Sequence, residues 1–241
     1  MTVVVPMAGR GSRYGEKGYN IPKPLIEIEG KQMFLWALES LANIAYEKII
    51  FIALKQHEQQ FTISKLLNEN LKKSFQLVLI DEVTEGQLCT VLKAKEFINK
   101  DDDLLIIASD TLIRSNIGKD IQNKDGQTKG IISVINLPGD RWSFAKADKN
   151  GSVSEVAEKV RISDHASTGI YYFSKAGDFF YEGEMIIKSQ EKTKGEYYII
   201  PVYQKFIEKK EKVKISIADE MWDMGTPEAK EIFENHLRLH S

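Results

Sequence analysis

The residues best suited to chemistry lie near the start of the chain, in a glycine-rich segment that also carries two cations. Gly9 and Gly11 come just before Arg13, and Lys23 follows between two prolines. Glycine lets a backbone approach a phosphate and present N–H groups to it, because it has no side chain and accepts a positive φ. Arg13 and Lys23 add positive charge beside this turn. The segment therefore predicts a site for the phosphates of a nucleotide.

Other interpretations of the segment explain less of it. A dinucleotide-binding fingerprint, G-x-G-x-x-G, would need glycine where Tyr14 stands, and a helix starting inside the motif, whereas no helical pattern appears before Gln32. A Walker-type loop, G-x-x-x-x-G-K-[ST], is absent. A flexible glycine-rich connection would account for the glycines, but it would not account for Arg13 and Lys23.

Two aspartates later in the chain could hold a metal ion beside those phosphates. Asp110 follows an apolar run that predicts a strand, and Asp223 comes just before a predicted helix. Mg²⁺ takes hard oxygen ligands, and two carboxylates with the phosphates of a nucleotide supply them. Each aspartate alone is equally typical of a turn or a helix cap, so the hypothesis depends on the fold that brings them together.

The elements that must position these residues alternate in the first half of the chain. Predicted strands cover residues 2–5, 48–54, 75–80 and 103–108, and predicted helices cover 33–41, 57–74 and 90–98. Alternating strands and helices indicate a parallel α/β sheet. Ligands of such sheets bind at the carboxyl ends of the strands, where both the glycine-rich segment and Asp110 are expected.

The second half contains shorter strand patterns joined by turns. Predicted strands cover residues 129–136, 143–147, 153–159, 167–173 and 213–217, and predicted helices lie near 177–188 and 198–209. A last helix begins at Pro227 with Thr226 as its N-cap. Because no Ser-, Gly- or Pro-rich linker divides the chain, we predict one domain over residues 1–241.

Composition narrows the class of protein further. Of 241 residues, 33 are Lys or Arg and 35 are Asp or Glu, so the net charge is −2, which argues against nucleic-acid binding. The single cysteine, Cys89, excludes a disulfide framework and a cysteine zinc site. The sequence shows no secretory leader and no apolar run near the roughly 20 residues of a membrane span. We therefore expect a cytoplasmic protein.

These motifs resemble those of the nucleotidyltransferases that activate sugar phosphates, also called pyrophosphorylases. The hallmark of that family is G-x-G-x-R, a spacer and P-K-P, matched here by Gly9, Gly11, Arg13 and the prolines around Lys23. The resemblance extends along nearly the whole chain. It implies a Rossmann-like α/β fold with a mixed, mainly parallel sheet flanked by helices. It also implies a nucleotide-binding half, about residues 1–125, and an acceptor-binding half, about 126–241.

The resemblance also implies a role for individual residues. It implies catalytic roles for Arg13 and Lys23, nucleotide binding by Ala8, Gly9, Gly11, Gly86 and Gln87, acceptor binding by Glu158, Lys159, Thr168, Gly169 and Glu196, and metal ligation by Asp110 and Asp223. Gln87 carries the donor and the acceptor that a pyrimidine edge requires. The alternative for its segment is a helix N-terminus with a threonine cap, and both can hold together.

Some of these assignments compete with plain structural explanations. Val160 stands where the family has the proline of E-K-P, and Glu158 with Lys159 could be an ordinary exposed charge pair. Thr168 fits a buried strand equally well, and Glu196 fits a helix start. Trp142, in the R-W-S-F segment, could line the acceptor site, but we favour a place in the core.

The implied reaction is attack by an acceptor phosphate on the α-phosphorus of a pyrimidine nucleoside triphosphate, with release of pyrophosphate and Mg²⁺ as cofactor. CTP is favoured over UTP or dTTP, and the acceptor is a sugar 1-phosphate or phosphoglutamine. The R-W-S-F and P-K-P segments resemble those of a short subgroup of this family that acts in capsule and surface-polysaccharide synthesis. That subgroup includes a CTP:phosphoglutamine cytidylyltransferase. The alternative is an inactive relative that senses nucleotides or scaffolds a pathway. We expect the two substrates as partners, and neither nucleic acid nor a membrane. The sequence leaves homo-oligomerisation open.

Overall fold

The computed structural model describes residues 1–240 and is organised around one continuous sheet. The strands are β1 (Thr2–Pro6), β2 (Glu27–Ile28), β3 (Lys31–Gln32), β4 (Lys48–Leu54), β5 (Phe75–Ile80), β6 (Leu104–Ile107), β7 (Thr111–Ser115), β8 (Thr128–Ile135), β9 (Ser143–Ala147), β10 (Val153–Glu158), β11 (Ala166–Phe173) and β12 (Lys212–Asp223). The helices are α1 (Ser12–Gly15), α2 (Met33–Leu38), α3 (Lys55–Phe61), α4 (Ile63–Asn70), α5 (Gln87–Leu92), α6 (Ile117–Asn123), α7 (Ala176–Lys188), α8 (Pro201–Glu208) and α9 (Pro227–His240).

The sheet is mixed and mainly parallel, as the resemblance implied. Its strand order is β5-β4-β1-β6-β11-β8-β12-β7, and the β9–β10 hairpin joins it through β11. Strands β1, β4, β5 and β6 run parallel to one another, whereas β11 is antiparallel to both of its neighbours β6 and β8. Strand β12 runs parallel to β8 and then pairs antiparallel with β7. The sheet therefore passes without interruption through both halves of the chain.

Helices cover both faces of the sheet, so most residues of the central strands are buried. In β1, Val4 packs into one core and Val3 and Val5 pack into the other, because successive side chains of a strand point to opposite faces. A smaller apolar cluster lies under α9, where Phe233 packs with Tyr14 and neighbouring side chains. No helix within residues 1–240 is both long and apolar enough to cross a membrane.

Most predicted elements are present, and a few predictions are wrong or missing. Strands β4, β5 and β9 have the predicted bounds, and the side chain of Thr226 accepts a hydrogen bond from the Ala229 amide at 3.2 Å, as expected of an N-cap. The single helix predicted over residues 57–74 is wrong: Thr62, at φ 48°, separates α3 from α4. Strand β7 and the short helix α1 were not predicted, and α1 contradicts the expectation of no helix before Gln32.

Candidate active site

A cleft of about 730 Å³ opens beyond the carboxyl ends of β1 and β6. Every residue predicted for the site lines it: Ala8, Gly9, Gly11, Arg13, Lys23, Gly86, Gln87, Asp110, Glu158, Lys159, Thr168, Gly169, Glu196 and Asp223. These residues come from loops, from strands and from the helices α1 and α5, in both halves of the chain. The fold thus brings them to one place, while the role of each stays a prediction.

The glycine-rich loop is fixed at both of its ends. Gly11 adopts φ 62°, and a Cβ there would lie 3.3 Å from the Cβ of Lys23, so a glycine lets the loop pass close to this lysine. Tyr14, at the position that ruled out a dinucleotide fingerprint, donates its hydroxyl to the carbonyls of Met224 at 2.7 Å and Thr226 at 3.0 Å. Burial and the nearby Asp110 raise the pKa of this hydroxyl. Tyr14 thereby ties the loop to the segment that carries Asp223.

We predict that Tyr14→Phe lowers the free energy of unfolding by about 1–2 kcal/mol, because one buried donor shared by two carbonyls is lost. Urea denaturation followed by circular dichroism measures the change. Tyr19→Phe is the matched control, because Tyr19 contacts Tyr14 through its ring and is 36% exposed. An equal effect of both substitutions would contradict the assigned role of the Tyr14 hydroxyl.

The two predicted metal ligands converge because β7 and β12 pair. The ladder places Asp223 opposite Thr111, and the Met224 amide donates to the Asp110 carbonyl at 2.8 Å. A Cβ placed on Gly225 would lie 2.9 Å from Asp223 Oδ1 and 3.2 Å from Asp110 Oδ2. Both carboxylates therefore border one small space, which a side chain at this glycine would enter.

Each carboxylate contacts a cation. The Lys23 ammonium pairs with Asp110 Oδ2, and the Arg141 guanidinium donates to Asp223 Oδ2 at 2.8 Å. Burial acts to raise the pKa of Asp110, but the charge and hydrogen bond of Lys23 outweigh it, so that pKa is lowered. Burial and the negative charge of Asp110 raise the pKa of Asp223. The hydrogen bond from the Gly225 amide and the charge of Arg141 act to lower it but are outweighed.

This donor set fits Mg²⁺ bound together with a nucleotide. Carboxylate oxygens are its preferred protein ligands, and the ion commonly combines one or two of them with substrate phosphates and water. Within residues 1–240 no group of three or more His, Cys, Asp or Glu side chains could hold a metal. An ion at Asp110 and Asp223 would therefore take its further ligands from water and, when it is bound, from the nucleotide.

The segment before α5 packs tightly against the backbone of Tyr197. The Tyr197 amide donates to the Glu85 carbonyl at 2.9 Å, and the Leu88 amide donates to the Tyr197 carbonyl at 3.1 Å. Gly86 lies between them at φ 138°, and a Cβ there would lie 2.4 Å from the Tyr197 oxygen. Gly86 is thus required by packing, and it holds Gln87 at the edge of the cleft.

We predict that Gly86→Ala lowers the free energy of unfolding by about 2–4 kcal/mol, because the backbone of Tyr197 must move and the positive φ is strained. Gly126→Ala is the matched control, since a Cβ at Gly126 meets nothing within 4 Å. Urea denaturation of both variants measures the difference. A Gly86→Ala protein as stable as the Gly126→Ala protein would contradict the close approach.

Two polar clusters carry three of the residues that were predicted to bind the acceptor. The Ser143 hydroxyl bonds to Glu158, whose pKa is raised by burial against the effect of that hydrogen bond. The Lys159 ammonium contacts the Tyr198 hydroxyl, which donates to Glu196 Oε2 at 2.7 Å. Glu158 is thus a buried carboxylate, which excludes the simple exposed charge pair that the sequence left open.

Several residues that line the cleft were not predicted. Trp142 borders the cleft instead of joining the core, and its ring lies 4.0 Å from the guanidinium carbon of Arg141. Arg10 and Tyr198 also line the cleft. The R-W-S-F segment was a signal for Arg141 and Trp142, but its position beside Asp223 depends on contacts between distant parts of the chain.

The structure is an α/β fold with a cleft at the carboxyl ends of its strands, and comparisons with known proteins identify its family. The sequence model of the nucleotidyl transferase family ("Nucleotidyl transferase") matches residues 3–239, so the chain belongs to this family. The nucleoside-diphosphate-sugar pyrophosphorylase from Vibrio cholerae RC9 superposes with a TM-score of 0.83 and is 28% identical, covering 97% of this chain and 99% of that one.

Two characterised relatives are also similar over most of the chain. The bifunctional protein GlmU of Thermotoga sp. (strain RQ2) is 26% identical over 99% of this chain, and the match covers 52% of that relative. The UTP–glucose-1-phosphate uridylyltransferase AglF of Haloferax volcanii is 22% identical over 99% of this chain and 97% of its own length. The chain thus spans about half the length of the bifunctional relatives that it matches.

Proposed function

We propose that this chain is a Mg²⁺-dependent nucleotidyltransferase that joins a pyrimidine nucleoside triphosphate to a phosphorylated small molecule and releases pyrophosphate. The observation that carries the proposal is the convergence of Asp110 and Asp223 beside Lys23 and the glycine-rich loop. Family membership supports the reaction class, and AglF, a glucose-1-phosphate uridylyltransferase, supports a sugar phosphate as one type of acceptor.

Three cationic side chains of this protein each bind a different phosphate group of the substrates. Arg13 binds the part of the triphosphate that leaves as pyrophosphate, Lys23 binds the α-phosphate, and Lys159 binds the phosphate of the acceptor. Asp110 and Asp223 would hold Mg²⁺, which would supply positive charge to offset the negative charge of the phosphates. Positioning and electrostatics of this kind are the main sources of catalysis in phosphoryl chemistry.

No general base is needed for this reaction. The second pKa of a phosphate monoester is about 6, so most of the acceptor is a dianion at pH 7 and is itself the nucleophile. Within the cleft, Lys159 therefore has the task of holding an anion in line with the α-phosphorus, not of removing a proton. The repulsion between two anions is offset by the lysines, the arginines and the metal.

The proposed nucleotide is CTP, with UTP and dTTP as competitors, and the proposed acceptor is a sugar 1-phosphate or phosphoglutamine. The amide of Gln87 at the edge of the cleft supports a pyrimidine, since it offers a donor and an acceptor to a base edge. The resemblance of the R-W-S-F and P-K-P segments to the short capsule subgroup supports a role in making precursors of surface polysaccharide.

Pyrophosphate release measured with each of four nucleoside triphosphates against phosphorylated sugars, amino acids and choline tests the proposal. We expect release with a pyrimidine triphosphate and one acceptor class, and none without Mg²⁺. Nucleotide binding without pyrophosphate release in any pairing would overturn the proposal and favour a relative that senses nucleotides or scaffolds a pathway.

A further inference from the structure

Arg141 connects the acceptor side of the cleft to a predicted metal ligand. It lies at the end of the exposed loop between β8 and β9, and its guanidinium reaches Asp223 at the end of β12, with Nη2 2.8 Å from Oδ2. The Arg141 side chain is 50% exposed, whereas that of Asp223 is 17% exposed. This ion pair therefore lies in the lining of the cleft, with Arg141 as its more exposed member.

The loop that carries Arg141 has other anchors. Arg161 donates to the carbonyls of Leu137 at 2.6 Å and Gly139 at 3.0 Å, and the Trp142 indole N–H donates to the Pro138 carbonyl at 3.3 Å. These contacts fix the loop without the guanidinium of Arg141. The contact between Arg141 and Asp223 is therefore not needed to hold the loop, so Arg141 can exchange Asp223 for a ligand in the cleft.

Asp223 is likewise held by a second contact. Its Oδ1 accepts the Gly225 amide at 2.9 Å, while Oδ2 accepts Arg141. A metal ion that uses both oxygens, or Oδ2 alone, must compete with the guanidinium. Because Arg141 keeps further N–H donors beyond Nη2, it can also bind an anion that approaches from the acceptor side.

Arg141 is also close to the lysine that is predicted to bind the acceptor phosphate. The Lys159 amide donates to the Trp142 carbonyl at 2.9 Å, which extends the β9–β10 ladder to the residue next to Arg141. The Trp142 ring lies 4.0 Å from the guanidinium carbon and restricts the plane of that group. Arg141 and Lys159 therefore lie at the same end of the β9–β10 hairpin, and both line the cleft.

We propose that Arg141 is a ligand for the acceptor phosphate and competes with the metal for Asp223, so that arrival of the phosphate draws the guanidinium away and frees Asp223 Oδ2. A phosphate dianion carries more charge than a carboxylate, and it can take two N–H donors of the arginine fork. The acceptor would thus strengthen metal binding. This inference deepens the proposed function and rests on it.

Titration of the full chain with Mn²⁺, with free ion followed by electron paramagnetic resonance, tests the exchange without turnover. Glucose 1-phosphate serves as the probe phosphate. In the wild type we expect it to tighten Mn²⁺ binding by about fivefold or more, a coupling of ordinary size. In Arg141→Gln, Mn²⁺ should bind more tightly from the start, and the probe should change its affinity by less than twofold. Equal coupling in both proteins would overturn the proposal.

Arg114→Gln is the matched control, because Arg114 pairs with Glu39 outside the cleft, and it should behave as the wild type does. Once a substrate pair is known, Arg141→Gln should raise the acceptor KM by about tenfold, as for the loss of a charge-assisted contact, and leave the triphosphate KM within about twofold. An unchanged acceptor KM would contradict the assignment. Failure of the proposed function appears separately, as no pyrophosphate release by the wild type with any pair.

Discussion

Asp110→Asn is expected to lower the turnover number for pyrophosphate release by about 100-fold or more, the size seen when a main electrostatic contact of a transition state is lost. The amide is neutral and cannot balance a divalent ion. It also leaves the Lys23 ammonium without its carboxylate. Steady-state pyrophosphate release at saturating substrates measures the loss, and excess Mg²⁺ should recover only part of it.

Asp81→Asn is the control for Asp110→Asn, because Asp81 also follows a parallel strand, β5, but is 77% exposed and pairs with Lys55 outside the cleft. It should keep the wild-type turnover number. Thermal unfolding of both variants shows whether each is folded. A folded Asp110→Asn protein with turnover within a few-fold of the wild type would contradict the metal role of this carboxylate.

Lys23→Ala is expected to reduce kcat/KM for the triphosphate by about 100-fold or more, since a fixed cation on the α-phosphate is lost where negative charge moves during the reaction. The side chain is 23% exposed and held between the glycine-rich loop and Asp110, so water replaces its charge poorly. Removal of Lys23 also removes the group that lowers the pKa of Asp110.

Lys17→Ala is the control for Lys23→Ala, because Lys17 is 61% exposed and pairs with Glu228 on the surface. It should leave kcat/KM within about twofold, as surface ion pairs contribute little. If Lys23→Ala is folded and matches Lys17→Ala in kcat/KM, Lys23 does not contact the reacting phosphate. Binding of the triphosphate measured by calorimetry then separates a loss of affinity from a loss of rate.

Local patterns in the sequence were sufficient for much of the fold. The mainly apolar runs of β4 and β5 predicted their bounds; β4 is buried on both faces, whereas β5 lies at the edge of the sheet and is partly exposed. The predicted helix over residues 57–74 was wrong, since apolar spacing alone does not show that Thr62 takes a left-handed conformation. Strand β7 was missed because its pairing partner, β12, lies about a hundred residues further on.

The candidate site was predictable where the chemistry resides in a local motif. The glycines with Arg13 and Lys23 indicated a phosphate site from their spacing, and all the predicted residues line the cleft. Arg141 could not be found in this way, because its partner Asp223 is brought to it only by the pairing of β12 with β7 and the path of the loop before β9. Trp142 was expected in the core, as apolar aromatic residues commonly are, and instead lines the cleft.

The central claim is that a phosphate oxygen of the acceptor attacks the α-phosphorus. Following an isotopic label from the acceptor into the products tests this claim most directly. The acceptor found in the pyrophosphate assay is prepared with oxygen-18 in its phosphate, and the products are separated and weighed by mass spectrometry. We predict that all the label stays in a product in which acceptor and nucleoside monophosphate share a diphosphate bridge, and that pyrophosphate carries none. Label in the pyrophosphate, or free nucleoside monophosphate as the sole nucleotide product, would contradict the account.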